Sequence, residues 1–90
     1  MVDPYEVELR PAAHDGLRRL DRRVAERVLK KIKWLATNFE TIPHETLSGE
    51  FKGLFKLRIG DYRVVYSCSR VEHRITIHLI DHRREVYERR

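Results

Sequence analysis

The chain has 90 residues, 41% hydrophobic and 37% charged, which is enough apolar material for one modest core and not for a second. Its apolar runs are only a few residues long, which excludes a transmembrane helix, and its single cysteine, Cys68, excludes an internal disulfide. Lys and Arg outnumber Asp and Glu by 19 to 14, and the excess is local: residues 1–50 carry nine of each, residues 51–90 ten against five. A clustered positive potential attracts polyanions, either nucleic acid or an acidic protein segment, although basic residues also serve as plain solvated surface. The opening MVDPYEVELRP has early acids and no apolar signal core. The expectation is a single domain, residues 1–90, in a reducing cytoplasm and without a membrane partner.

In chain order, Tyr5, Val7 and Leu9 alternate with Glu6, Glu8 and Arg10, which predicts a first strand with one apolar face. Pro11 suits the first position of a short helix carrying Ala13, Leu17 and Leu20, in which Gly16 is a weak point that needs tertiary support. Asp21 can cap a longer helix over about 22–37, with Val24, Val28, Ile32, Leu35 and Ala36 on one stripe and Arg22, Arg23, Glu26, Arg27, Lys30, Lys31 and Lys33 opposite. Asn38 can close it, and the segment up to Gly53, with Pro43 and Gly49, reads as a loop. A hairpin follows, its second strand running to about Ser69. After a turn at 70–73, Ile75, Ile77 and Leu79 alternate with Arg74, Thr76 and His78 in a last strand.

The order strand, helix, helix, then strands on short connections predicts a small α+β domain in which both helices pack on one face of a twisted, largely antiparallel sheet. The covered face takes Phe55, Leu57, Ile59, Tyr62, Val64, Tyr66, Ile75, Ile77 and Leu79. The open face then carries Lys56, Arg58, Arg63, Arg74 and His78.

The hairpin FKLRIGDYRVVY, residues 55–66, contains an electrostatic puzzle. With Gly60 and Asp61 as the turn, Ile59 faces Tyr62, Arg58 faces Arg63, Leu57 faces Val64 and Lys56 faces Val65. Two arginines directly opposed destabilise a strand pair. A phosphate would offset that cost, because the guanidinium fork bonds its oxygens in pairs and stays charged. At a reacting phosphate the same groups stabilise the added charge of the transition state, and RNA supplies its own nucleophile, the 2′-hydroxyl. No carboxylate cluster suited to magnesium is present, and no cofactor is implied. On this reading Arg63→Ala is expected to cost little stability, since it relieves a repulsive pair.

LSGEFKGLFKLRIGDYRVVY, followed by a short strand and HRREVY, resembles the RelE/ParE superfamily of toxins from toxin-antitoxin systems, and within it the RelE-type mRNA interferases. The resemblance extends to YEVEL and to KKIKWLATNF, so it covers nearly the whole chain. It implies a ribosome-dependent endoribonuclease that cleaves mRNA in the A site by 2′-hydroxyl attack, without a metal. It also implies a cognate antitoxin, with operator DNA reached only through that partner. Lys56 and Arg58 match the family's basic positions on the hairpin, Arg63 its strand arginine, Arg83 its late arginine and Tyr87 its near-terminal tyrosine. Tyr87 would stack on a base or orient the scissile phosphate, Arg63 and Arg83 would stabilise it, and Lys56 could act as base. Some members use a glutamate and a histidine instead, which here correspond to Glu45 and His82.

Asp81 stands where many relatives have glycine, and its charge would weaken the local field if it pointed inward. Two further readings accompany the nuclease: a ParE-like inhibitor of DNA gyrase, which shares the fold, and a catalytically inert module that only binds an antitoxin, which Asp81 keeps open. His78 and His82 lack a third ligand at ordinary spacing for a metal site. Cys68 reads as core packing, and Trp34 and Phe39 as core or antitoxin contacts rather than RNA-stacking residues.

Overall fold

The computed structural model describes residues 3–82; Arg83 and Tyr87 lie outside them. Strand β1 (Glu6–Leu9) leads into helix α1 (Pro11–Arg18) and helix α2 (Arg22–Asn38). β2 (Glu45–Thr46), β3 (Phe55–Ile59), β4 (Tyr62–Ser69) and β5 (Arg74–His82) complete the described chain. Local chemistry sets the helix ends: Pro11 opens α1, and the Asp21 carboxylate accepts from the Val24 amide at 3.0 Å to cap α2. Val28, Ile32, Leu35 and Ala36 are buried on one side of α2, as the helical spacing predicts. Gly60 turns the hairpin at φ 60°, a conformation that favours glycine.

The strands form one sheet in the order β1-β5-β4-β3-β2. The hairpin register is the expected one, with Arg58 opposite Arg63 and Lys56 opposite Val65. Two features differ from the sequence reading. β1 pairs parallel to β5, so the sheet is mixed rather than a pure meander. The segment read as a loop contributes β2, which pairs only Glu45 with Lys56 and Thr46 with Phe55. A two-residue strand has no alternation to reveal it.

A bulge changes the faces of β5. Val65 pairs with Leu79 but Tyr66 pairs with Ile77, so His78 is the extra residue. Side-chain parity shifts there: Ile75, Ile77 and then Ile80 join the core, whereas Leu79 does not. Leu79 was expected on the covered face; Ile80 takes that place, 1% exposed. The same shift brings Asp81 to the front of the sheet, as the register partner of Arg63.

The core lies between the helices and the sheet, with Ala13, Val28, Ile32, Leu35 and Phe39 against Ile59, Val64, Tyr66, Ile75, Ile77 and Ile80. Gly16 is what allows α1 to approach β5. A Cβ there would lie 2.1 Å from the Ile80 carbonyl oxygen, so the residue that weakens α1 in isolation is required by its packing. Cys68 is half-buried against this core, and burial pushes its thiol pKa up. The far end is tied by Glu40, which accepts from both the Tyr5 hydroxyl and the Arg70 guanidinium. These bonds hold the Glu40 carboxyl below its usual range, Tyr5 contributing most.

Candidate functional site

The front of the sheet carries the basic row, but acids from neighbouring strands interrupt it. Glu45 on β2 lies 3.3 Å from the Lys56 ammonium, and Glu6 on β1 lies 3.4 Å from Arg74. Arg63 has Arg58 opposite on β3 and Asp81 opposite on β5. Acids from the neighbouring strands are therefore interleaved with the cations that the hairpin sets against each other. These acids stand on neighbouring strands, where only the fold can place them.

Nor is this face uniformly open. Arg63 and Asp81 are 4% and 7% exposed and Val65 is fully buried, while the Lys56 side chain is 12% exposed. Arg58 is exposed, and among the described residues it has no carboxylate partner. Arg63 is thus a buried guanidinium between an arginine and an aspartate. Burial restricts where that guanidinium can go, because a charge taken out of water is costly to move to a site that does not compensate it. The expectation that Arg63→Ala costs little stability is overturned by this burial.

Of the residues singled out from sequence, Glu45, Lys56, Arg58 and Arg63 share the front face. His82 does not. It pairs with Tyr62, edge to face at 5.3 Å between ring centroids, on the helix side of the sheet. The Glu45 and His82 pair is therefore split between faces, as are His78 and His82. His78 bonds the Ser67 hydroxyl at 2.8 Å, and burial first, then the Arg10 charge, lowers its pKa.

A groove of about 480 Å³ runs along the outer edge of β3, between α2 and the segment before β2. Lys56 and Arg58 line it together with Lys31, Trp34, Pro43 and Leu57. Its wall depends on His44, which no sequence pattern identified. The Phe39 carbonyl accepts from His44 Nε2 at 2.8 Å, so in the neutral ring Nδ1 accepts from the Tyr66 hydroxyl at 2.6 Å. Burial pushes the Tyr66 pKa up to about 12, which keeps that hydroxyl a donor. This bond anchors the chain one residue before Glu45.

This arrangement, two helices on one face of a five-stranded mixed sheet with a basic front, is the fold of the RelE-like toxins. The toxin-antitoxin complex RelBE2 of Mycobacterium tuberculosis superposes with a TM-score of 0.80 at 26% identity, over 92% of this chain and 95% of that one. The isolated RelE toxin of E. coli gives 0.71 at 23% identity, over 92% and 90% of the two chains. The YoeB/ParE toxin of Agrobacterium tumefaciens gives 0.69 at 19% identity, over 86% and 96%. No curated protein matches at a significant level. The family model described as the ParE toxin of type II toxin-antitoxin system, parDE, matches residues 7–87. The chain belongs to that family, within the RelE/ParE superfamily, and is a toxin of a type II toxin-antitoxin system.

Proposed function

We propose that this toxin is a ribosome-dependent endoribonuclease that cleaves mRNA in the A site by attack of the 2′-hydroxyl on the adjacent phosphate. The observation that carries the reading is the cationic row Lys56, Arg58 and Arg63, gathered on the sheet face away from the helices. Arg58 is exposed and meets the phosphate first, and Arg63, held rigidly by burial, is aimed at the charge that develops in the transition state. The Lys56 ammonium, 3.3 Å from the Glu45 carboxylate, is placed to hold the phosphate. Glu45 is the group beside it that can accept the 2′-hydroxyl proton. Arg83 and Tyr87 complete the site on the strength of their sequence positions. A cognate antitoxin holds the toxin inactive, as the solved toxin-antitoxin complexes with this fold suggest. Operator DNA is reached only through that antitoxin, and the setting is the cytoplasm. A single small site positions a flexible substrate poorly, so the ribosome must present the codon.

The matching ParE family model and the Asp81 carboxylate beside Arg63 favour a second reading, inhibition of DNA gyrase. Inducing the toxin without its antitoxin and mapping transcripts by primer extension separates the two. The nuclease produces cuts within translated codons; intact transcripts with DNA breaks identify the gyrase inhibitor, and neither effect identifies an inert antitoxin-binding module.

A further inference from the structure

The groove along β3 does more than border the basic row. Trp34 remains 39% exposed, in contrast to its neighbour at the end of α2, Phe39, which is 2% exposed. The Lys31 ammonium lies 3.8 Å from the Trp34 ring centroid, which sets a cation at the groove's rim beside an indole that the core does not use. Pro43 and Leu57 add apolar wall, and the outer edge of β3 past Lys56 is left without a strand, because β2 pairs only at Lys56 and Phe55. Lys56 and Arg58 belong to both features: they form the row and they line the groove. The groove is thus contiguous with the row at these two cations.

We infer that Trp34, with Lys31 and Arg58, forms a subsite for one nucleotide of single-stranded RNA next to the reacting phosphate, the base against the indole and its phosphate between the two cations. The inference rests on the nuclease reading, since it places the neighbouring nucleotide of that substrate. Its logic is that of single-strand recognition in general: an aromatic surface accepts any base face, and flanking cations hold the backbone. Three cations, Lys31, Lys56 and Arg58, against the one carboxylate of Glu45 give the groove the sign that a phosphodiester chain requires.

Trp34 is the chain's only tryptophan, so its fluorescence reports this groove alone. The test titrates the full chain with a 2′-O-methyl hexanucleotide, which has no free 2′-hydroxyl and so cannot be cleaved. Saturable quenching is expected. Trp34→Ala should weaken binding of a labelled copy by about tenfold or more, whereas Trp34→Phe, which keeps an aromatic face, stays within about threefold. Lys31→Gln should weaken it severalfold and flatten its salt dependence. An unquenched Trp34, unchanged affinity in Trp34→Ala and Lys31→Gln, or quenching by an acidic peptide but not by the oligonucleotide, would overturn the subsite. Ribosomal cleavage without quenching rejects the subsite and leaves the nuclease standing. Quenching with no cleavage of translated mRNA rejects the nuclease and leaves an RNA-binding groove.

Discussion

Arg63 illustrates how a residue's meaning changes between a strand pair and a sheet. Considered within the hairpin it is half of a repulsive pair, and removing it should be harmless. In the sheet it is 4% exposed, in register with the buried Asp81, so Arg63→Ala empties a packed position and changes the surroundings of a buried carboxylate. We expect a loss of about 1–3 kcal/mol in urea unfolding. Arg63→Lys should keep more of the stability, because it keeps the charge, yet reduce cleavage on the order of 100-fold, because an ammonium cannot replace the fork. Unfolding of Arg63→Ala at the wild-type midpoint would show that burial does not hold this residue. Arg63's position and partner across the hairpin were legible in the sequence, through alternation and the Gly60-Asp61 turn. Its second partner was not, because Asp81 reaches the front only through a bulge at His78, and a single extra residue in a strand leaves no periodic trace.

At the level of elements, local and non-local signals part in the same way. Both helices were legible because Pro11, Asp21 and the 3.6-residue stripe are read within a few residues of one another. The parallel pairing of β1 with β5 joins residues 68 positions apart in the Glu6 and Arg74 pair, and nothing in either segment specifies it. Gly16 belongs to that non-local account. Local propensity favours Gly16→Ala, which improves a helix, but its Cβ would meet the Ile80 carbonyl at 2.1 Å and force α1 off β5. We expect Gly16→Ala to destabilise by about 1–3 kcal/mol in urea unfolding, against the sign that helix propensity alone gives. A more stable variant would contradict this packing. The His44 and Tyr66 bond is another tie of this kind. Tyr66→Phe leaves His44 Nδ1 without its donor, loosens the segment that carries Glu45, and should lower cleavage more than it lowers the melting temperature.

Across the whole molecule, charge is balanced more finely than the net of +5 suggests. Acids are interleaved from β1, β2 and β5, and the described front face leaves Arg58 as its exposed cation without an acid beside it. His78 has its pKa lowered in the fold, so its contribution is full above its unfolded value of 6.5 and is lost as pH falls through the lower folded value. Glu40 is also depressed, from 4.5, and its contribution disappears in a more acidic window. Both act in one direction. The melting temperature should fall as pH drops from 7.5 to 5.5, and His78→Asn should flatten that part of the profile while Glu40→Gln flattens only the part below about pH 4.5. A profile that rises on acidification would contradict the assignment of these groups.

On the proposed reading, the basic front of this toxin cuts RNA on the ribosome. The most direct test adds the purified chain to ribosomes holding a defined mRNA codon in an empty A site, and maps the ends of the RNA. A cut within that codon leaving a 2′,3′-cyclic phosphate is expected, without added metal, reduced on the order of 100-fold by Arg63→Lys and absent from the same mRNA free in solution. Intact mRNA on the ribosome, or equal cutting of the free RNA, would contradict it.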